Sequence, residues 1–459
     1  MEDYQLGFSS PTGKYTYRAR KGLSETLVRK ISRQKNEPRW MLELRLGALK
    51  KYEEMPIPGW GATLTDLKWE NIRYYLKPVD KPYKSWNEVP DAVRKVFDLM
   101  GVPEAEKSKL SGAGGQYDSE AIYHSLKKVL AKKGVIFLSM DEGLKQYPKL
   151  VRKYFGKIVP YGDNKLAALN TAVWSGGSFV YVPMGVKVDL PLQAYFRINS
   201  ENAGQFERTL IVAEPGSSVH YVEGCSAPAF ASASLHAAVV EVVVKERAKV
   251  RYTTVQNWYK TVYNLVTKRA IVEKDAQMEW VDCNLGSKVT MKYPSCILRG
   301  ERARGSMLSI ALAGEGQHQD TGAKMIHLAP NTTSRIISKS ISQEGGRSSY
   351  RGQVKMTPRA RGARSHVVCD ALILDDLSRS DTYPNNQILT GEATLEHEAY
   401  VSRIGEEQIT YLMSRGMTKD EAESMIIRGF LEPVIGELPM EYAVELNRLI
   451  ELEMIGSVG

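Results

Sequence analysis

The residues of this chain with the most reactive chemistry are two thiols and one charged triplet: Cys225 in EGCSAP, Cys369 in CDA, and Glu396-His397-Glu398 in LEHEA. A thiolate accepts sulfur and binds iron or copper, and imidazole and carboxylate serve iron as well. The stretch from Cys369 to Ala399 consists of short apolar runs broken by Asp375-Asp376, Ser378 to Asp381 and Tyr383-Pro384-Asn385-Asn386, the pattern of strands separated by turns. Side chains alternate along a strand, so Glu396 and Glu398 should leave one face and His397 the other, along an edge and not in one pocket. On spacing alone, the same residues also read as a small buried hydrophobe and a solvated acidic surface. Cys283 and Cys296 read as structural, and His220, His236 and His327 as satisfied core or surface histidines.

The elements that must position these groups change character along the chain. Residues 24 to 52 carry Leu, Val, Ile and Met at helical intervals, with Ser24 as N-cap and Pro38 as interruption, which predicts two helices. A further helix is expected from Ser119 to Lys133, ending at Gly134, and a short one from Asp141-Glu142 towards Phe155. Trp40, Trp60, Trp69 and Trp86 are the expected packing anchors of this Lys-rich first third. After Lys165 the helical period gives way to strand, turn, strand, with a weak repeat: IVAEPGSSVHYV, VVVKERAKVRYT, AIVEKDAQMEWV, IHLAPNTTSRIIS, VKMTPRARGARSHVV. Its anchors Val219, Val250 and Met278 lie 31 and 28 residues apart. A unit that cannot bury its face alone points to a stacked solenoid, so a β-helix is favoured, while a two-sheet sandwich or jelly roll would also give short strands with regular turns. From Ser402 helices return: Thr418 and Glu421 form a capping box, and Met440, Ala443, Val444, Leu446, Leu449, Ile450 and Met454 form an apolar stripe, either packed on its own domain or free to dock another protein. The expected divisions are 1–165, 166–400 and 401–459.

Composition bounds the function. Lys+Arg 62 against Asp+Glu 53 leaves +9 over 459 residues with no long basic run, which weakens a nucleic-acid role. No apolar run approaches the roughly 18 residues of a membrane span, and the N-terminus lacks the apolar centre of a signal peptide, so cytoplasmic residence is expected. Four cysteines spread over this length suit free thiols better than a disulfide framework. Walker A, GxGxxG, GxSxG and HExxH motifs are absent, which removes support for the common nucleotide, dehydrogenase, hydrolase and zinc-protease chemistries. A solenoid enzyme acting on polysaccharide would need paired carboxylates on successive rungs, and Glu396 with Glu398 is too local to supply them.

Several motifs in one order resemble the SufB branch of the SufB/SufD family: GQFERT at 204–209, EGCSAP at 223–228, HAAVVEVV from His236, TVQNW at 254–258, KYPSCILRG at 292–300, DTGAKMIH at 320–327, SYRG at 349–352, LEHEA at 395–399, and the C-terminal MSRGMTKDEAESMII and ELPMEYAVELNRLIELEMIGSVG. The resemblance runs from Asn36-Glu37-Pro38 to the last residues. It implies a right-handed parallel β-helix flanked by helical N- and C-terminal regions, and a scaffold on which iron–sulfur clusters are assembled. The chain itself would then be no enzyme: ATP hydrolysis belongs to a separate SufC-like ATPase docked at the C-terminal helices. Other implied partners are a SufD-like paralogue or a second copy, a cysteine desulfurase with its sulfur-transfer protein, and apo-protein acceptors. A transient four-iron, four-sulfur cluster, iron and reduced flavin are the implied cofactors. Residue by residue, Cys225 matches the sulfur acceptor, Cys369 the interface cysteine, and Glu396, His397 and Glu398 the iron-binding candidates. Arg197, Asn199, Gln256, Trp258 and Lys268 match positions held to line the route between the thiols. Nearby Lys or Arg would favour the thiolate of Cys225. Where some members carry extra cysteines after the CD pair, this chain has Ser378 and Ile388, so the remaining cluster ligands are expected from a partner or from sulfide and water. A purely structural, SufD-like subunit is the alternative.

Overall fold

The structure, a computed structural model, describes residues 15–78, 110–229 and 232–437. Trp86 and the stripe from Met440 to Met454 lie outside the described residues.

From Leu192 onward the chain coils. Successive long strands enter opposite walls, so that one wall holds, in spatial order, Leu192–Arg197, Ser218–Ser226, Lys249–Trp258, Gln277–Gly286, Arg304–Ala313, Thr333–Ser342, Arg364–Ile373 and Thr394–Arg403, each parallel to the next. The facing wall runs from Ser178–Val182 through Val239–Val244, Val262–Val272 and His318–His327 to Arg379–Ile388. This is a parallel β-solenoid, as the repeat predicts, and the sandwich alternative falls. The repeat anchors stack in register, with Val219 beside Val250 and Val250 beside Met278.

The turns explain why the repeat is built from Gly, Asp, Asn and Arg. Gly216, Arg247, Asp275, Arg302, Asn331 and Gly362 each adopt positive φ, between 57° and 68°. For the non-glycine members this costs roughly 1 kcal/mol each. Each of these residues donates its N–H to a carbonyl of the next turn along the stack: Glu246, Lys274, Glu301, Pro330, Arg361 and Glu392, at 2.7–3.1 Å. The bond offsets the strain and fixes the rung spacing.

Helices cover the solenoid at both ends of the sequence. Glu25–Lys35, capped by the Ser24 hydroxyl, and Arg39–Glu54 are the two helices expected on either side of Pro38. Arg45 anchors the second: fully buried, it pairs with Glu37 at 2.6 Å and donates to the carbonyls of Ala172 and Trp174. At the other end Lys419–Ile435 begins with the predicted capping box of Thr418 and Glu421, and lays Ile427, Leu431 and Val434 on Val255, Cys283, Ile310, Ile341 and Leu372. Those wall residues therefore face outward, and their strand neighbours face the interior.

Two expectations fail. The segment predicted as a helix from Ser119 to Lys133 is instead a strand, Glu120–Leu126, paired antiparallel with Gly112–Tyr117, followed by the short helix Lys128–Lys132. Trp60 is 52% exposed and anchors no core, whereas Trp40 and Trp69 pack at core margins. The solenoid interior is anchored by Trp258 and Trp280, and the core beneath the N-terminal helices by Trp174.

A buried polar file between two thiols

Strand pairing lines up three interior files along one wall. Tyr221, Tyr252, Trp280, Met307, Ile336 and Val367 form an apolar stack. Its first rings lie 4.9 and 5.3 Å apart, each such pair adding about 0.5–1.5 kcal/mol beyond burial. Two residues further on, the second file reads Glu223, Thr254, Asp282, Ser309, Ser338 and Cys369, all buried, the first five polar and the last a thiol. The third begins with Cys225 and continues through Gln256, Asn284, Ala311, Ser340 and Ala371.

Cys225 sits in a ring of charge. Its Sγ–H points to Glu223 Oε1 at 3.8 Å, and Glu223 also accepts the Tyr252 hydroxyl. Lys268 reaches across from the facing wall to Thr254, to Asp282 at 3.3 Å and to Glu223 at 3.9 Å. Lys292, from the same facing wall, lies 3.3 Å from Asp282 and donates to Gln256 Oε1 at 3.1 Å. Asn264 donates to that same Gln256 oxygen, and His236 links Asn264 to Glu207. A buried charge is tolerable only when paired. Burial would raise the Asp282 carboxyl, but the two ammonium groups hold it below the usual carboxylate range. Burial brings Lys292 down to about 8, against the pull of Asp282.

The expected thiolate at Cys225 is not favoured here. Burial first, then the Glu223 and Glu207 carboxylates, push the thiol well above its ordinary pKa, and Lys268 and Lys292 offset this only in part. The cationic neighbours are present, but desolvation and two carboxylates outweigh them.

Of the five residues expected between the thiols, Gln256 lies next to Cys225 on the side towards Cys369, Trp258 lies on the same strand, and Lys268 contacts the file. Arg197 and Asn199 lie elsewhere. Arg197 pairs with Ser226 from the preceding strand, and Asn199 follows it, its N–H bound to Asp118, so both stand on the far side of Cys225 from Cys369. Glu223, Thr254, Asp282, Lys292, Ser309 and Ser338 were missed. A spacing of two from EGC, and the repeat period applied to it, was the available signal.

At the far end the Cys369 thiol is buried and 3.8 Å from His397 Nε2, while the Tyr350 hydroxyl approaches it from the facing wall. Burial pushes this thiol up to about 12. Burial also lowers His397, leaving a neutral imidazole fit to ligate a metal, with Asn386 against its other nitrogen at 3.3 Å. The alternation splits the triplet as expected: Glu396 turns outward to His366 at 3.0 Å and Glu398 accepts the Tyr400 hydroxyl. The structure thus joins Cys369 and His397 and leaves both glutamates apart from them. Among the described residues no three His, Cys, Asp or Glu side chains form a metal-holding group. The strands bearing this end, Arg379–Ile388 and Thr394–Arg403, are the last of their walls among the described residues, and Ile388, Leu389, Tyr400 and Val401 are exposed there. Such an edge is a template for another chain.

All four cysteines are free. Cys283 faces the C-terminal helix and Cys296 the interior, each pushed up to about 12 by burial. His327 is satisfied by Thr332 and Ser334. No helix among the described residues is long and apolar enough to cross a membrane.

The described residues thus form a β-solenoid with one thiol deep inside and a second beside its last strands, and comparison with known families says which proteins share it. Residues 196–430 match the family described as SUF system FeS cluster assembly, SufBD core domain, and residues 30–194 match the SufBD protein N-terminal region. The chain belongs to the SufBD family. It is 57% identical over 457 residues, 100% of this chain and 98% of the relative, to an iron-sulfur cluster assembly SufBD family protein of Staphylococcus aureus strain USA300, and equally to one of Staphylococcus haemolyticus strain JCSC1435.

Proposed function

We propose that this chain is the SufB-type scaffold of a SUF complex: Cys225 accepts sulfur, the buried polar file carries it, and Cys369 with His397 offers half of a cluster-building site. The observation that carries this reading is that every rung from Glu223 to Ser338 is polar and the file ends on the Cys369 thiol, where a structural solenoid needs only apolar filling.

Five register steps separate Glu223 from Cys369, about 24 Å at roughly 4.8 Å per strand, too far for direct exchange between thiols. Lys268 and Lys292 supply positive charge for a sulfur anion near Cys225, and the serine hydroxyls of Ser309 and Ser338 supply donors beyond them. Gln256, whose amide N–H meets no acceptor among the described residues, is the neighbour best placed to hold such an anion at Cys225. Trp258 packs on His236 beside it, and Arg197 and Asn199 fit the approach to Cys225 from outside the file. Iron and the growing cluster are cargo. Cys369 and His397 would hold them from this side, and a SufD-like paralogue or second copy across the exposed edge would add the missing ligands, with Glu396 and Glu398 at its rim. The helices from Glu406 to Ile435 would seat a SufC-like ATPase, and a cysteine desulfurase would deliver the sulfur. The deep burial of Cys225 favours the second reading, a SufD-like subunit that only positions its partners.

The test uses the complex with its ATPase and partner subunit. Cysteine and desulfurase should place persulfide on Cys225, mapped by mass spectrometry, and Cys369→Ala should fold normally yet accumulate no iron–sulfur absorbance. An unmodified Cys225, or full cluster yield in Cys369→Ala, overturns the scaffold reading in favour of the structural one.

A further inference from the structure

Resting on the sulfur-acceptor reading of Cys225, we propose that Glu223 is the general base of that step, taking the thiol proton and returning it to the departing donor.

The geometry comes first. Glu223 and Cys225 are two residues apart on the strand Ser218–Ser226, so both side chains enter the interior, and the thiol directs its hydrogen at Glu223 Oε1 across 3.8 Å. A base within reach of the nucleophile and itself held by a third group is the arrangement that activates Ser and Cys nucleophiles. The third group is the Tyr252 hydroxyl, donated from the next strand. From the facing wall Lys268 lies 3.9 Å away. Tyr221 on the same strand, Asp282 two steps along the file and Lys292 against Asp282 complete the ionisable surroundings, and the Glu207 carboxylate also acts on the thiol. Among the described residues Glu223 is the carboxylate to which the Cys225 thiol donates.

A base is needed because this thiol does not ionise by itself: burial and the surrounding carboxylates hold it protonated. The charge count favours internal transfer. Moving the proton from sulfur to carboxylate leaves a thiolate beside a neutral acid, and Lys268 and Tyr252, which had faced the carboxylate, then face the same single negative charge. Ionisation to solvent would instead put two buried anions side by side.

The step balances without an outside oxidant. The co-reactant is a persulfide, R–S–S–H. Glu223 removes the Cys225 proton, the sulfur attacks the outer donor sulfur, and a new S–S bond forms as that of the donor breaks. The electron pair goes to the donor's inner sulfur, which takes the proton back from Glu223. The products are Cys225–S–S–H and R–SH.

Two roles for Glu223 give opposite signs on substitution. If the carboxylate only repels the thiolate, its removal speeds the reaction; if it is the base, removal slows it. The experiment follows sulfuration of Cys225 by inorganic tetrasulfide, resolved by peptide mass spectrometry, across pH 6 to 10. Wild type, Glu223→Gln and Glu223→Asp are compared, with melting curves to establish folding. We expect Glu223→Gln to lose at least about a hundredfold at pH 7, the lower end of the roughly 10²–10⁴-fold contribution of a general base, and to recover in proportion to hydroxide, and Glu223→Asp to keep most of the rate. A Glu223→Gln rate equal to or above wild type overturns the assignment. Methyl methanethiosulfonate, run in parallel, reads proton removal without sulfane sulfur. Slowing of that reagent in Glu223→Gln, with no uptake from tetrasulfide in any variant, keeps the base and removes the sulfur-acceptor reading. Uptake unchanged by the substitution removes the base and keeps the reading.

Discussion

Asp282 lies 3.3 Å from the ammonium nitrogen of both Lys268 and Lys292, a single carboxylate joining two buried cations from the facing wall. It stands on the file between Glu223 and Cys369, where the interior changes from charged to hydroxyl-lined.

Removing it leaves two buried ammonium groups without the carboxylate they share. Asp282→Ala should therefore cost about 3 kcal/mol at pH 7, the range for breaking a buried pair. Because Lys292 already gives up its proton near pH 8, the loss should shrink by pH 10. Urea midpoints at the two pH values measure this, and a cost under about 1 kcal/mol at pH 7 would show that the triad is solvated.

The repeat made the solenoid legible before any coordinates, because Val219, Val250 and Met278 are the in-register positions themselves. The file was not legible, for a physical reason. Wall strands are buried on both faces, so alternation inward and outward does not show as apolar against polar, and only pairing tells which of Thr253 and Thr254 faces the interior. The false helix at Ser119 has a different cause. AIYHSLKK has a helical apolar period, but Asp118 at φ 51° and Ser119 make a two-residue hairpin, and pairing with Gly112–Tyr117 overrides propensity. Glu396 to Glu398 was legible as an alternating edge, but Cys369 with His397 needed the register of the last two strands.

Acid should weaken the fold through its histidines. Burial pushes His124 and His327 down to about 4 from 6.5. Between those values the unfolded chain binds protons that the native state refuses, so stability is full above about pH 6.5 and falls as pH drops towards 4, by about 3 kcal/mol per histidine. His327→Gln should flatten the fall by one proton's worth in urea titrations from pH 7 to 4.5. An unchanged slope would mean that His327 titrates normally.

Gly286 marks a place where the walls admit no side chain. It has φ 68°, and a Cβ there would overlap the Trp258 carbonyl, whose oxygen already accepts the Ser287 N–H. Gly286→Ala should cost at least about 2 kcal/mol from backbone strain and displacement of the neighbouring rung. A melting temperature within a degree of wild type would contradict the packing at this corner.

The central claim is that sulfur passes along the file, and Ser338 tests it most directly, lying one step from Cys369 and far from the Cys225 ring. Ser338→Val keeps a strand-forming side chain of similar size but removes the hydroxyl from the interior. In the assembled complex, persulfide should still form on Cys225 at the wild-type rate while the yield of iron–sulfur absorbance falls at least tenfold; full cluster yield in a folded Ser338→Val complex would contradict passage through the solenoid.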